Sequence, residues 1–171
     1  MILEIDMAKH EEKTNVMRIL DQKNIWYLPH SYDPSDGNID ALSVAEKVGV
    51  EDYKIYKTLV TVGASGNHYV FVIPGGNELE LKLAAKAVGE KSIAMIKQAR
   101  LLPLTGYIHG GCSPIGMKKQ FKTCFEEEVI LLDTVLVSAG KVGFQIEVKP
   151  QDLISLTGAI TAQVSQEKLK N

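Results

Sequence analysis

The sequence predicts a single mixed α/β domain, a mostly antiparallel sheet or open barrel with helices packed outside it. Three observations carry that reading. Residues 57–62 (KTLVTV) and 68–74 (HYVFVIP) are β-branched and aromatic runs flanking Ala64-Ser65-Gly66-Asn67, the pattern of a β-hairpin. Helical segments stand between strand-like runs at irregular intervals, whereas a doubly wound parallel sheet would alternate them regularly. At 171 residues and 45% hydrophobic composition the chain is long and apolar enough to bury one core.

Taken in order, residues 1–12 read as a tail or short strand. Residues 14–24 place apolar side chains at 16, 17, 19 and 20, the stripe of an amphipathic helix. Residues 26–32 (WYLPHSY) have strand composition, and Pro29 favours an edge position. Residues 33–38 (DPSDGN) form a loop. Ser43-Val44-Ala45-Glu46 reads as a capping box opening a short helix that Gly49 stops. After the hairpin a helix spans 80–88 and ends at Gly89, and a second spans 92–99. Strands follow near 129–137 and 144–148, joined through residues 138–143 (SAGKVG). Pro150 suits the first turn of a last helix through Leu156, with Gly158 behind it. The whole of 1–171 therefore reads as one domain, without repeats or linkers.

Bulk properties exclude several function classes. No run approaches the roughly 18 apolar residues of a membrane span, and the N-terminus MILEIDMAKHEEKTN lacks a signal peptide's apolar core. A cytoplasmic protein with no membrane attachment is expected, with Cys112 and Cys124 as reduced thiols. Net charge −2 argues against wholesale coating of DNA or RNA but leaves room for one local basic site. His10, His30, His68 and His109 are scattered without zinc-like spacing, so neither a metal nor a cofactor is expected.

Residues 105–116 (TGYIHGGCSPIG) are the most unusual stretch. Strand-like Tyr107-Ile108-His109 runs into Gly110 and Gly111, a pair kept where φ is positive or a group must approach the backbone. Pro114 restricts Ser113 to extended conformations. The expected product is a concave loop with free amides, suited to an anion or a carbonyl oxygen; an ordinary tight turn is the alternative. Cys112 near His109 invites a nucleophilic dyad, against the plain reading of a small incidental cysteine. Lys118, Lys119 and Lys122 follow, either as a solvated face or as a grip on a polyanion. Lys57 opens an otherwise apolar strand, where its ammonium either snorkels to water or points into a pocket. Ser138-Ala139-Gly140-Lys141 is a second small-residue turn that offers a hydroxyl and amides.

These pieces occur in a telling order. KTNVMRILDQKNI, HSYD, YKTLV, VFVIPGGNELELKLAAKAVGEKS, TGYIHGGCSPIGMKK, VSAGKVGFQIEV and PQDLISLTGA together resemble the YbaK/EbsC family, over residues 13–165. Its members are free-standing aminoacyl-tRNA editing proteins related to the editing insertion domain of prolyl-tRNA synthetase. The resemblance implies a curved, barrel-like mixed sheet surrounded by helices, with a pocket for the charged 3′ end of tRNA. It also implies deacylation of Cys-tRNA(Pro), and of Cys-tRNA(Cys), as in the YbaK branch. The family's lysine matches Lys57, its Gly-x-x-x-Pro loop matches Gly110-Gly111-Cys112-Ser113-Pro114, and its pocket tyrosine matches Tyr32. Thr58 follows the lysine, and the small-residue turn corresponds to Ser138-Ala139-Gly140. Gln145 stands where relatives often carry Asp.

In such a site Lys57 is expected to anchor the phosphate or ribose oxygens of the terminal adenosine, general-base work by it requiring a strongly lowered pKa. The Gly110–Ser113 amides are expected to meet the carbonyl oxygen or the backbone of the aminoacyl group. The resemblance implies that the cysteine's own thiol attacks its carbonyl, which makes the enzyme a hydrolase by outcome and a lyase by its cyclising step. The expected partners are the acceptor 3′ end of aminoacyl-tRNA and prolyl-tRNA synthetase. Two rivals stand beside it: an Ala-tRNA(Pro) deacylase that uses bound water, and a non-catalytic module binding the tRNA end or the synthetase.

Overall fold

The computed structural model describes residues 12–168, so the tail or strand expected at the N-terminus lies, save for Glu12, outside the described residues. Helix α1 (Asn15–Gln22) buries Val16, Met17 and Leu20, and its first turn is closed by Thr14, whose hydroxyl accepts the Met17 N–H at 3.2 Å. Strand β1 (Tyr27–Ser31) follows and holds an edge, where Pro29 removes no ladder hydrogen bond. Helix α2 (Ala41–Val48) ends at Gly49 as expected, but its cap is Asp40, whose carboxylate accepts the Ser43 N–H at 3.1 Å. The box expected at Ser43 is therefore displaced: that residue's amide is itself the capped group.

Strands β2 (Tyr56–Gly63) and β3 (His68–Pro74) form the hairpin, with Lys57 opposite Ile73 and Val62 opposite His68. Strand β4 (Asn77–Leu79) leads into α3 (Leu81–Val88), which Gly89 ends at φ +75°. The helix expected over 92–99 is not formed. Ile93–Met95 is strand β5, paired antiparallel with β2 and burying Ile93, so sheet pairing overrides a weak helical pattern. Helix α4 (Leu101–Thr105) comes after it, and Tyr107-Ile108-His109 is loop and turn, not strand. Strand β6 (Lys122–Glu126) was not legible in the sequence; of the strand expected near 129–137, residues 129–131 belong to the 3₁₀ turn Glu127–Leu131 and only the end from Val135 is strand. Strands β7 (Val135–Ser138) and β8 (Phe144–Val148), helix α5 (Pro150–Thr157) and strands β9 (Ile160–Ala162) and β10 (Ser165–Glu167) complete the described chain.

Three hydrogen-bonded sheets result, in the orders β5-β2-β3-β6-β9, β1-β8-β7 and β10-β4. Pairing is mostly antiparallel; β6 joins β3 and β9 in parallel. Alternation along β3 divides the core: Val70 and Val72 face Val137, Ile146, Leu153 and α1, while Tyr69, Phe71 and Ile73 face Ala84, Ala85 and Val88 of α3. Both faces of the hairpin are covered, which makes it a rigid base for whatever its ends carry.

Buried Glu126 ties down the C-terminal segment. Its Oε1 accepts the Val164 N–H at 3.1 Å, the Ser165 N–H at 2.9 Å and the Ser165 hydroxyl at 2.7 Å. Removing an acceptor from buried donors costs about 1–3 kcal/mol for each group left unpaired. Glu126→Ala is therefore expected to lower unfolding free energy by about 2–4 kcal/mol, read from a denaturant midpoint; an unshifted midpoint would remove the anchoring role.

Candidate active site

A cleft of about 760 Å³ opens where β2 begins, bounded by the loop before α2, the Gly75-Gly76 turn after β3, the 109–112 loop and the ends of β7 and β8. Lys57, Thr58, Gly110, Cys112, Ser138 and Gln145 all line it, although 88 residues of sequence separate Lys57 from Gln145. The strand register explains their meeting. Ser138 and Gln145 are direct partners across β7 and β8, and the parallel bridge between Ile55 and Leu136 brings that pair beside the mouth of β2.

Lys57 is half-buried, and among the described residues no carboxylate lies within ion-pair distance of it. Burial, then the charge of Lys168, pushes its ammonium below the usual lysine pKa, and Glu78 opposes the shift. Three side-chain oxygens are buried without a partner among the described residues: Thr58 Oγ1, Gln145 Oε1 and Tyr32 Oη. Buried polar groups are normally paired; the free oxygens of Thr58 and Gln145 lie on the cleft lining, where an incoming ligand can complete their hydrogen bonding, whereas Tyr32 Oη lies behind it.

The glycine loop has a division of labour. Gly110 sits at φ +86°, and a Cβ there would stand 2.5 Å from Ile39 Cδ1. The Gly111 N–H is committed to the Ile108 carbonyl at 3.0 Å, and a Cβ on Gly111 would meet the Val142 nitrogen at 3.1 Å. Among the described residues the amides of Gly110 and Cys112 donate to no protein acceptor, which leaves them for a substrate oxygen. Ser113 is fully buried with its hydroxyl accepting the Ile115 N–H at 3.3 Å, and Pro114 is buried beside it; neither reaches the cleft. Both shape the loop from behind.

The second turn also splits. Ser138 lines the cleft while its Oγ accepts the Gly140 N–H at 3.1 Å. Ala139 lies in the core, and Gly140 faces Tyr107 and Val16 on the far side. Tyr32 packs beside the cleft with Val44, Ile55 and Leu136 and is not on its lining. The lysine cluster is split. Lys122 pairs with Tyr69, and Lys119 lies over Phe121, which packs on His68, so these two occupy the end of β3 opposite to Ile73 and Lys57, whereas Lys118 packs against Gly106 after α4.

Sequence reasoning missed two contributors. Lys168 lines the cleft because β10 pairs with β4. Lys47 ties the 33–38 loop together, donating to Asp36 Oδ1 at 2.6 Å, Asp33 O at 2.9 Å and Asn38 O at 3.0 Å. That loop delivers Ile39 to Gly110, and the DPSDGN run with a lysine one helix later was the available signal. Lys47→Ala is expected to raise KM about 3–10-fold with kcat little changed, since it loosens a wall and removes no reacting group; equal loss of both would contradict this.

Among the described residues no activated nucleophile lines the cleft. Burial pushes the Cys112 thiol up to about 12, so it stays protonated near neutrality. His30 is engaged with Glu147 at 2.8 Å, away from the lining; His109 lines the cleft at its exposed rim, and among the described residues it makes no hydrogen bond to Cys112, Thr58 or Ser138 that would activate one of them. Among the described residues no three His, Cys, Asp or Glu side chains converge as a metal site would require. Cys112→Ala is accordingly expected to keep kcat/KM within about 3-fold; a loss beyond a hundredfold would restore the thiol as nucleophile.

Comparison with known proteins bears on the family and the fold. Residues 39–156 match the model of the aminoacyl-tRNA editing domain. The EbsC protein of Enterococcus faecalis (strain ATCC 700802 / V583), provisionally named a Cys-tRNA(Pro)/Cys-tRNA(Cys) deacylase, is 46% identical over 160 residues, 94% of this chain and 98% of that one. A crystal structure provisionally described as a trans-editing enzyme for prolyl-tRNA synthetase superposes with TM-score 0.74 at 26% identity, covering 86% of this chain and 92% of the other. That of a hypothetical protein superposes with TM-score 0.81 at 23% identity over 90% of this chain and all of the other, a likeness of fold.

Proposed function

This chain belongs to the aminoacyl-tRNA editing domain family, and from that premise we propose that it deacylates cysteine mischarged onto tRNA(Pro), with Cys-tRNA(Cys) as a second substrate. The observation that carries the reading is a cleft with an uncompensated ammonium, Lys57, and open amides at Gly110 and Cys112, while among the described residues no lining hydroxyl or thiol is hydrogen-bonded to a base that would activate it. Such a site holds and polarises; it does not supply the nucleophile.

The cysteine thiol supplies it. Lys57 anchors the phosphate or ribose oxygens of the terminal adenosine, and the Gly110 and Cys112 amides receive the carbonyl oxygen as negative charge grows on it. The substrate sulfur bonds to its own carbonyl carbon, the ester C–O bond breaks, and the thiol proton passes to the departing ribose oxygen. Free tRNA and a cyclic thioester leave, and water opens the thioester to cysteine. Thr58, Ser138 and Gln145 line the space around the aminoacyl group. Editing of this kind is needed because a pocket built for proline rejects an amino acid as small as cysteine only weakly by size.

The whole chain acts as one editing domain, working where tRNA is charged, in the cytoplasm. Its near-neutral charge fits modest intrinsic tRNA affinity, so selection of tRNA(Pro) comes from a transient complex with prolyl-tRNA synthetase. Release of tRNA from Cys-tRNA(Pro), Ala-tRNA(Pro) and Ser-tRNA(Pro) by purified protein tests the assignment. Loss of the cysteine ester alone is expected; loss of the alanine ester instead would point to a bound water as nucleophile.

A further inference from the structure

The turn after β7 separates two depressions. Ser138 lines the cleft, whereas Gly140 and Lys141 line a second hollow of about 390 Å³ whose opposite wall is the first turn of α1 with Arg18. The hollow is firmly built. Gly140 takes φ +91°, and a Cβ there would press on Tyr107 Cε1 and Val16 Cγ2, each at 3.0 Å, so glycine lets the turn lie flat against α1.

Its charge is of one predominant sign. Lys13, Arg18 and Lys141 line it, against the single carboxylate of Glu12. Lys13 is engaged with Asp21 at 2.5 Å. Among the described residues the Arg18 guanidinium and the Lys141 ammonium make no ion pair or side-chain hydrogen bond. Lys141 lies over the Phe144 ring at 5.4 Å, which steadies its stem. A protein of net charge −2 has thus gathered cations at one concave place, immediately behind the wall of its cleft.

We propose that this hollow binds a backbone phosphate of the tRNA acceptor end, a few nucleotides before the ester held in the cleft; the proposal rests on the editing function given above. Arg18 presents its planar fork to the phosphate oxygens and Lys141 adds a point charge. Residues 138 and 141 are at most ~10 Å of chain apart, a span that a short single-stranded run bridges. Of the lysines that the sequence offered for this task, Lys119 and Lys122 are at the far end of the sheet and serve as the comparison.

The test is the Arg18→Ala/Lys141→Ala double variant, with Lys119→Ala as control. Each is assayed on Cys-tRNA(Pro) over a range of KCl concentrations and on cysteine esterified to adenosine alone, which carries no phosphate. The double variant is expected to raise KM for Cys-tRNA(Pro) about 10-fold at low salt and to flatten the slope of log KM against log salt by about 1. Its kcat and its turnover of the adenosine ester stay as in the wild type, and Lys119→Ala behaves as wild type throughout. An unchanged KM and slope would overturn the proposal, as would parallel slowing of the adenosine ester or an equal effect from Lys119→Ala. Failure of the editing function reads out separately, as wild-type protein that releases product from neither ester. Titration of uncharged tRNA into wild type and double variant then makes the same comparison by binding.

Discussion

Lys57→Ala is expected to lower kcat/KM for Cys-tRNA(Pro) by about 10²–10³-fold, equivalent to about 3–4 kcal/mol of lost transition-state stabilisation, while the fold persists. The magnitude follows from where the ammonium sits. It is half-buried at the mouth of the cleft, with no carboxylate in ion-pair contact among the described residues to share it. Its charge is therefore available to the substrate, and anchoring errors of an ångström are costly to an intramolecular attack. Stability should not fall, because the change removes a charge from a partly desolvated place and breaks no ion pair or hydrogen bond. Circular dichroism and a thermal melt check that point.

The pH profile carries the same test further. Burial first, then repulsion from Lys168, lowers the Lys57 pKa. Only the protonated form anchors, so activity is retained below that pKa and lost as pH rises through it, earlier than an ordinary lysine would dictate. Lys168→Ala relieves the repulsion and should move the alkaline limb to higher pH. An alkaline limb that persists unchanged in Lys57→Ala would mean that another group titrates there.

Gly110→Val is the second large effect. At φ +86° a residue with a side chain is strained, costing roughly 1–2 kcal/mol, and the new Cβ would lie 2.5 Å from Ile39 Cδ1. Either the loop flips, withdrawing the Gly110 and Cys112 amides, or the wall carrying Ile39 moves into the cleft. Both outcomes remove groups that matter more in the transition state than in the ground state, so kcat/KM should drop at least a hundredfold. Gly110→Ala should fall in between, since the δ-methyl of Ile39 is a movable tip but the positive φ is not. Full activity of the valine variant would dismiss the amides from the reaction.

The parts of the fold legible in the sequence were those decided locally. The β2–β3 hairpin, the edge position of Pro29 and the left-handed stops at Gly49, Gly89 and Gly158 each depend on a few neighbouring residues. Strand β6 was missed because its partners, β3 and β9, lie in parallel far along the chain. Ile93–Met95 was misread as helix because an unpaired edge of β2 decides it, not local propensity.

The site divides in the same way. Lys57 and Gly110 stand out by composition, as a charge heading an apolar strand and as a glycine before a proline turn. Which side of a turn faces the cleft is not a local property. Ser138 enters the cleft while Ala139 and Gly140, its immediate neighbours, join the core and the opposite hollow. Lys168 reaches Lys57 only through strand pairing and the grip of Glu126 on the preceding residues. Lys122 begins close to the glycine loop in sequence and ends at the other end of β3.

The central claim is that the substrate's thiol replaces a protein nucleophile, and masking that thiol tests it directly. Cys-tRNA(Pro) and S-methylcysteinyl-tRNA(Pro) differ by one methyl group, which the roomy cleft of about 760 Å³ accommodates. Purified protein is expected to release tRNA rapidly from the first and at the uncatalysed rate from the second, while the second still competes as an inhibitor of the first. Rapid release from the S-methyl ester would contradict the claim and place a water, activated within the cleft, in the role of nucleophile.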